Sequence, residues 1–322
     1  MATQKPIVVV GSINTDLVAI AERIPSVGET IIGRGFQVHP GGKGANQAVA
    51  VARLGYPARM IGRLGDDHFG AQLRTHMESL GVDCSSVAQC EGPSGVAVIL
   101  VSSKGENCIV VAPGANAMVT PKDVEANRSV IARAGAVLAQ LEIPLETVEC
   151  LARICGREGV PLILDPAPAQ DLPGEMYRNV AWFTPNESEA QFYGSNGSGV
   201  AAKTSAVGTA QSILSQGCCG VLLKLGSRGA YLATPDHPGK MVPAFQVTAV
   251  DSTAAGDAFN GGFATGLMLG KSPFDSALFG SAVAAISVTR VGAQPSMPSM
   301  PEVTAFLEEH LAHISAELDH LV

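Results

Sequence analysis

The chain has 322 residues, which is enough for one large α/β domain or two smaller ones. Its formal net charge of −8 excludes a broad surface for nucleic-acid phosphates but leaves room for a small basic nucleotide pocket. No apolar run approaches the ~18 residues that span a bilayer. The residues before the first strand leave no space for a signal peptide, so we expect a soluble, cytoplasmic protein that binds neither membrane nor nucleic acid. The seven cysteines lack C-x-x-C spacing and are interpreted as reduced thiols.

The first strand is predicted at residues 7–10, and a polar turn with Asn14 and Asp16 is predicted after it. Ligands of open α/β sheets collect outside the carboxyl ends of the strands. Asn14 and Asp16 are therefore candidates for binding hydroxyl groups. The alternative is ordinary turn chemistry, since Asn and Asp favour turns for local reasons.

A glycine-rich loop at residues 41–46, with sequence GGKGAN, precedes a helix of small residues predicted at 47–54. Its glycines permit close approach of the backbone to a ligand, and Lys43 and Asn46 supply donors. The spacing differs from that of a Walker A loop. A flexible turn that opens a helix explains the glycines equally well, but it does not explain Lys43 and Asn46.

The middle of the chain predicts two kinds of sheet. Strands at 96–101 and 107–112 are separated by hairpin punctuation, so we expect them outside the main sheet, as a lid over Asn14 and Asp16. From residue 120, helices at 123–132 and 147–158 alternate with strands at 136–141 and 161–164, which indicates parallel βαβ units. Acidic residues follow both strands, Glu142 after the first and Asp165 after the second.

Two later turns carry candidate phosphate or metal ligands. Asn186 and Glu189 follow a strand at 182–185 with the spacing of a helix capping box, which is one explanation, and of an outer-shell Mg²⁺ site, which is the other. The turn at 226–229, with sequence GSRG, offers amides and a guanidinium group to phosphates. A plain hairpin turn accounts for its glycines but not for Arg228.

Residues 251–257 form the stretch that most strongly suggests a catalytic site. An alternating run at 245–250 predicts a strand, Ser252 and Thr253 are good helix N-caps, and residues 254–256 would form a first turn with little side-chain bulk. Free N–H groups at such a helix start favour an anion. Asp257 in the same turn is either an acid that complements the helix dipole or a general base, and this stretch alone leaves both open.

Other motif matches in the sequence do not indicate a function. The run at 266–272 is one residue short of a P-loop and ends a helix, and the G-x-G-x-x-A match at 197–202 follows no strong strand. The seven histidines show no clustered ligand spacing and no G-x-S-x-G elbow is present, so neither zinc nor serine-hydrolase chemistry is indicated.

Together the glycine-rich loop at 41–46, the Asn186-x-x-Glu189 motif and the stretch at 251–257 resemble the ribokinase-like family of carbohydrate kinases. The resemblance covers essentially the whole chain, and matched motifs near opposite ends of a chain are far more specific than either alone. It implies one α/β domain over residues 1–322, with a central, mostly parallel sheet flanked by helices. A small β-sheet lid from strands within 13–38 and 95–112 would also form a homodimer interface.

The family resemblance implies ATP-dependent phosphorylation of D-ribose at O5, with Asp257 as the base. Residues implied for the other roles fall into three groups. The anion hole would use Ala254, Ala255 and Gly256. The sugar would contact Asn14, Asp16, Gly42, Lys43, Asn46 and Glu142. The nucleotide would contact Asn186, Lys224, Gly226, Ser227, Arg228 and Gly229, with Ala255 and Gly256 at the phosphates and Ser281 near the adenine.

The resemblance also implies two metal ions. Mg²⁺ would be held in its outer shell by Asn186 and Glu189, and K⁺ by a set of side chains and backbone carbonyls from Asp251, Thr253, Ser287, Arg290, Gly292 and Ser296. Departures from the family pattern are modest. Ala254 stands where many members have Gly, and we expect it to accept helical dihedral angles. Ser281 replaces a larger residue.

The alternatives are a sibling kinase for fructose, deoxyribose or a nucleoside, and a non-catalytic sugar-sensing protein that keeps the fold. A nucleotide-binding oxidoreductase would need a dinucleotide fingerprint after a strand, which is absent.

Overall fold

The computed structural model describes residues 4–194 and 205–319, so the motif match at 197–202 lies outside the described residues. Elements are numbered β1–β13 and α1–α11 in chain order. The main sheet has nine strands in the order β13-β12-β11-β10-β9-β8-β1-β4-β5. It is parallel from β5 to β11, and β12 and β13 add an antiparallel edge. Its strands are Ile7–Val10 (β1), Ala58–Gly65 (β4), Val82–Cys90 (β5), Ala136–Ala139 (β8), Leu162–Leu164 (β9), Trp182–Phe183 (β10), Val221–Lys224 (β11), Ala230–Thr234 (β12) and His237–Val242 (β13).

Helices cover both faces of this sheet, because successive residues of a buried strand point to opposite sides. Ile7 and Val9 of β1 belong to one core, and Val8 and Val10 belong to the other. The first core is completed by Lys43–Arg53 (α1), His68–Ser79 (α2), Ala255–Met268 (α9), Pro273–Ser287 (α10) and Met300–Asp319 (α11). The second is completed by Pro121–Ala126 (α3), Arg128–Ile131 (α4), Leu145–Glu158 (α5), Gly174–Tyr177 (α6), Glu187–Gly194 (α7) and Ala206–Leu214 (α8).

A second sheet of four strands stands apart, in the order β3-β2-β6-β7. Its strands are Asn14–Ala21 (β2), Gly35–Gly41 (β3), Gly95–Ser102 (β6) and Asn107–Ala112 (β7). The predicted α/β class with a small additional sheet is therefore confirmed. No helix in the two described stretches is long and apolar enough to cross a membrane.

Three local predictions are wrong. Asn14 and Asp16 do not lie in a turn. They lie in β2, which pairs with β3 and β6. The helix predicted at 123–132 is split into α3 and α4 at Asn127.

Residues 245–250 form no strand. Pro243 follows β13 directly, and proline cannot donate to a strand ladder. Phe245 packs into the core at 6% exposure, and it lines a cavity together with Gln246, Val247 and Ala249, so the segment contacts the core and the cavity instead of a neighbouring strand.

Candidate active site

The site lies at the carboxyl edge of the main sheet, where the strand order reverses. The chain runs from β1 to β4 and β5 on one side, then returns to β8 on the other side of β1. Such a switch point opens a crevice outside the strand ends. The polar residues that follow the strands converge there, namely Asn14 beyond β1, Glu142 beyond β8, Asp165 beyond β9, Asn186 beyond β10 and Lys224 at the end of β11.

Asp257 lies at the centre of the crevice, in the first turn of α9, and is 4% exposed. Asn46 Nδ2 donates to its Oδ2 and Gln47 Nε2 donates to its Oδ1, each at 3.0 Å. Burial raises the pKa of Asp257 above its ordinary value, while the charge of Lys43 opposes the rise and that of Asp165 adds to it. Asp257 is therefore a buried carboxyl group with both oxygens oriented by amides, which suits a proton acceptor.

The start of α9 is built differently from the prediction. Ala254 is the N-cap residue and has a left-handed backbone, with φ of 58° and ψ of 16°, so it is not helical. Ser252 and Thr253 are not the caps. The Ala255 amide donates to the Ser252 carbonyl at 3.2 Å, which leaves it less available to a ligand than predicted.

The next two amides of α9 are the free ones. Ala258 N–H donates back to Ala254 O, but no acceptor within the described residues takes the amides of Gly256 and Asp257. Unpaired first-turn amides at the positive end of a helix dipole attract anions. The predicted anion hole thus has donors, although they are shifted along the chain by one residue from the predicted set.

On the β1 side of Asp257 lies a polar pocket. Glu142 accepts from Ser12 Oγ at 2.5 Å and from Lys43 N at 3.1 Å, and Asn14 Oδ1 accepts from Asn116 Nδ2 at 2.7 Å. Burial, and after it the charges of Glu142 and Asp257, raise the pKa of Asp16 to about 7.

Lys43 offsets part of this negative charge. Burial alone lowers its pKa, but the carboxylates of Asp257, Asp165 and Glu142 outweigh burial and raise the pKa of the ammonium group. The cluster as a whole is acidic, which suits hydroxyl ligands rather than anions.

Gly42 lets the glycine-rich loop close over this pocket. Its φ is 87°, and a Cβ at this position would lie 2.7 Å from Asn14 N. Both the dihedral angle and the close approach require glycine.

On the other side of Asp257 is a cavity of about 310 Å³. The predicted nucleotide residues Lys224, Gly226, Ser227, Gly229 and Ser281 line it, together with Ala255 and Gly256. Ala244 to Val247 and Ala249, which lie in a loop where a strand was predicted, form another part of its wall.

Arg228 is not part of this cavity. Its side chain is 64% exposed and forms an ion pair with Glu187 of α7. Since the guanidinium group is engaged at the surface, the predicted phosphate contact of Arg228 lacks geometric support.

Asn186 and Glu189 form a reciprocal cap at the start of α7. Asn186 N and Nδ2 donate to the two carboxylate oxygens of Glu189 at 2.8 and 2.7 Å, and Glu189 N donates to Asn186 Oδ1 at 3.0 Å. Burial raises the pKa of Glu189, against the charge of Lys224. Over the described stretches no group of three or more His, Cys, Asp or Glu residues could hold a metal ion. Each carboxylate oxygen already accepts one hydrogen bond, so one lone pair on each is left for a Mg²⁺ ion or for the water that the ion carries.

Asp251 joins the two loops of the predicted K⁺ site. Its Oδ1 accepts from Thr253 N and Oγ at 2.9 and 2.6 Å, and its Oδ2 accepts from Gly292 N at 2.8 Å. Burial raises the pKa of Asp251, but these hydrogen bonds outweigh burial and lower it.

The other residues of that set contribute less. The hydroxyls of Ser287 and Ser296 donate to the carbonyls of Ala284 and Ala293, and the guanidinium of Arg290 pairs with Glu302 at 2.7 Å. The side chain of Arg290 is thus engaged with Glu302, so only its backbone carbonyl is left for the predicted cation.

Several contacts around Asp257 were not predicted from the sequence. Gln47 and Asp165 bind each other and lie beside Asp257, Gln140 binds Gln47, and Lys224 pairs with Asp165 at 2.8 Å. Gln294 Nε2 also donates to Asn46 Oδ1 at 3.1 Å. Asp165 follows a buried strand and Gln47 follows Asn46 directly, so position alone marks them, but nothing in the sequence indicates their mutual contact.

An α/β sheet with a buried carboxylate between a hydroxyl-binding pocket and a glycine-lined cavity defines a phosphotransferase with an alcohol acceptor. The family model for pfkB family carbohydrate kinases matches residues 4–300. The chain belongs to this family.

The similar proteins include ribokinases from distant organisms. A ribokinase of Haemophilus influenzae is 41% identical over 307 residues, which are 95% of this chain and 99% of that protein. The crystal structure of a ribokinase from Thermotoga maritima matches with a TM-score of 0.88 and 39% identity, covering 94% of this chain and 99% of the other. The structure of Arabidopsis thaliana ribokinase complexed with ribose and ATP matches with a TM-score of 0.87 and 34% identity, covering 95% and 99%.

Proposed function

We propose that this chain transfers the γ-phosphoryl group of ATP to the 5-hydroxyl of D-ribose, giving D-ribose 5-phosphate and ADP. The observation that carries the proposal is the position of Asp257, a buried and oriented carboxylate between the polar pocket and the cavity. The similarity to ribokinases, one of them complexed with ribose and ATP, supports the choice of substrates.

The sugar binds in the acidic pocket, where its hydroxyls hydrogen-bond to Asn14, Asp16, Lys43, Asn46 and Glu142, and the backbone of Gly42 closes over it. Asp257 accepts the proton of the 5-hydroxyl. The oxygen then attacks the γ-phosphorus in line, a new O–P bond forms, and the bond to the bridging oxygen breaks so that ADP leaves.

The phosphates lie at the start of α9. The free amides of Gly256 and Asp257 stabilise the charge that spreads over the transferred group, and Ala254 and Ala255 complete the turn that presents them. Lys224 lines the same cavity, and its Nζ lies 3.4 Å from where a Cβ on Gly256 would be. The base and ribose of ATP occupy the remaining cavity, between Ser281 and the loop at 244–249.

Two ions complete the proposal. Asn186 and Glu189 would hold Mg²⁺ in its outer shell, and the ion would neutralise charge on the phosphates. K⁺ would be held by Asp251, Thr253, Ser287, Gly292, Ser296 and the carbonyl of Arg290, next to the turn that carries the anion hole.

We also propose that the small sheet is a lid over the sugar and the contact surface of a homodimer. Its outer face, opposite Asp16, exposes apolar side chains that the strand register places side by side: Phe36, Val38, Val98 and Val110. Sedimentation of the wild type against Val110→Lys tests this, because a lysine there should release monomers. An unchanged dimer, or a monomeric wild type, contradicts the proposal.

The test of the base is Asp257→Asn, assayed by ADP release with D-ribose. We expect turnover to fall ~10²–10⁴-fold, the usual share of a general base. The matched control is Asp275→Asn, since Asp275 is an exposed acid in the first turn of the neighbouring helix α10. Asp275→Asn should keep full turnover. Near-full activity of a folded Asp257→Asn protein would overturn the proposed mechanism.

A panel of D-ribose, fructose, deoxyribose and a nucleoside, with and without K⁺, tests the substrate. We expect D-ribose to give the highest kcat/KM. Ribose binding without ATP turnover would instead identify a sugar-sensing protein.

A further inference from the structure

We infer that Gln47 is a positioning residue, which ties the proposed base Asp257 to the Asp165–Lys224 ion pair beside the phosphate cavity. The inference rests on the proposed function, because it takes Asp257 as the base. Gln47 lies in the first half of α1 and is completely buried. It joins groups that belong to the two substrate pockets.

The carboxamide of Gln47 bridges two carboxylates. Its Nε2 donates to Asp257 Oδ1 and to Asp165 Oδ2, both at 3.0 Å. A glutamine amide has two N–H donors on one nitrogen, so both are used. The opposite orientation would turn the amide oxygen toward two carboxylates, which would be repulsive. The direction of the amide is therefore fixed by its partners.

Gln140 holds the other end of the amide. Its Nε2 donates to Gln47 Oε1 at 2.7 Å, while its own Oε1 has no partner among the described residues. A Cβ on Gly11 would lie 2.0 Å from this oxygen, so Gln140 is tightly enclosed. An unpaired buried acceptor is unfavourable for stability. The arrangement therefore orients Gln47 at a cost, which a role in packing alone does not explain.

Asp165, the second carboxylate bound by Gln47, connects to the proposed nucleotide cavity. Asp165, 2% exposed, accepts from Lys224 Nζ at 2.8 Å on its Oδ1 and from Gln47 on its Oδ2. Lys224 lines the cavity next to Gly256. A continuous series of hydrogen bonds, from Lys224 through Asp165 and Gln47 to Asp257, thus fixes the base relative to the phosphate side of the site.

Gln47 acts on Asp257 in two ways. Its donated hydrogen bond favours the ionised carboxylate, and with Asn46 it holds the plane of the carboxylate in place. The charged groups that face Asp257 are Lys43 of α1, Asp165 after β9 and Asp16 of β2. The charge of Asp165 raises the pKa of Asp257, and the hydrogen bond from the neutral Gln47 lowers it, so this donor favours the ionised base.

The test is Gln47→Met, which keeps the volume but removes both donors. At saturating ribose and ATP, the acid limb of the kcat–pH profile should move up by about one pH unit, equivalent to a roughly tenfold loss of kcat on that limb. The KM for ATP should stay unchanged. A purely structural role would lower kcat equally at every pH or lower only the melting temperature.

The matched control is Thr147→Val. Thr147 is fully buried and donates to Val119 O at 2.7 Å, far from the carboxylates. This variant should lower the melting temperature and leave the pH profile in place. If Gln47→Met does not fold, Gln140→Leu decides by the same measurement, with an expected shift of the limb in the same direction of roughly threefold.

Asp257→Asn separates the two ideas. If Asp257→Asn is inactive but the acid limb of the folded Gln47 or Gln140 variant is unmoved, the positioning role is overturned and the proposed function stands. If Asp257→Asn retains turnover, the base assignment fails and the positioning role fails with it.

Discussion

Asp16→Asn should stabilise the protein without ribose while weakening ribose binding. Burial, and after it the charges of Glu142 and Asp257, raise the pKa of Asp16 from 3.8 to about 7. A shift of about 3 pKa units at 1.36 kcal/mol each gives an upper limit of ~4 kcal/mol for the cost of ionised Asp16 in the folded state. Because the side chain is partly exposed, solvent screening reduces the expected effect to ~1–2 kcal/mol.

The size of this effect depends on pH. Between about pH 4 and pH 7 the folded protein holds a proton on Asp16 that the unfolded chain has released. The contribution of Asp16 to stability therefore falls as pH rises through this window and is constant above it. Asparagine at position 16 cannot ionise, so the variant should gain on the wild type from about pH 4 to pH 7.

Urea unfolding without sugar at several pH values measures the difference in the free energy of unfolding between the variant and the wild type. The contributions of the other carboxylates cancel in this difference because both proteins share them. The control is Asp67→Asn. Burial raises the pKa of Asp67, but hydrogen bonds from Ser94 and Gly70 outweigh burial and lower it. The control should therefore lose stability at neutral pH and approach the wild type as pH falls. A difference for Asp16→Asn that is independent of pH, or that shrinks as pH rises, would refute the reasoning.

Three further changes test other parts of the structure. Ala254→Gly should raise the free energy of unfolding by about 0.5–1 kcal/mol, because alanine at φ of 58° is strained; equal or lower stability in urea contradicts this. Gly261→Ala should lower the free energy of unfolding by about 1–3 kcal/mol, because the new Cβ would lie 2.6 Å from Ala50 Cβ. The control Gly174→Ala should change this free energy little, because Gly174 has open space around it. Asp251→Asn should abolish activation by K⁺, so that its kcat with K⁺ equals that without; a wild type equally active without K⁺ would dismiss the cation proposal.

The general fold and the grouping of the motifs were predictable from the sequence. Regular alternation of strands and helices after residue 120 predicts parallel βαβ units, and the hairpin pattern near residue 100 predicts a separate sheet. Both depend on local periodicity, which the sequence records directly. The family resemblance assigned Asn46 and Asp257 to one site, but it did not predict the hydrogen bond that joins these residues 211 positions apart.

The details that failed all depend on the tertiary surroundings of a residue. Alternation at 245–250 is typical of a strand, but this segment packs on the core and lines a cavity instead of pairing with a neighbouring strand. The left-handed backbone of Ala254 is imposed by the turn into α9 and contradicts the preference of alanine. Arg228 lies in a promising turn, yet Glu187 of another element pairs with it at the surface.

The two explanations of Asp257 are best compared through Asp275, because each is the third residue of its helix. Asp275 is exposed and its carboxylate accepts from Ser272, the cap of its own helix, as expected for an acid that complements the helix dipole.

Asp257 instead is 4% exposed, and its hydrogen bonds come from Asn46 and Gln47 of another helix. Burial of a carboxylate beside Asp165 disfavours its charge, so an acid needed only for the dipole would be more stable in the position of Asp275. The burial of Asp257 therefore favours the explanation as a general base over that of an acid that only complements the helix dipole. A general base must be shielded from water and held in a fixed orientation.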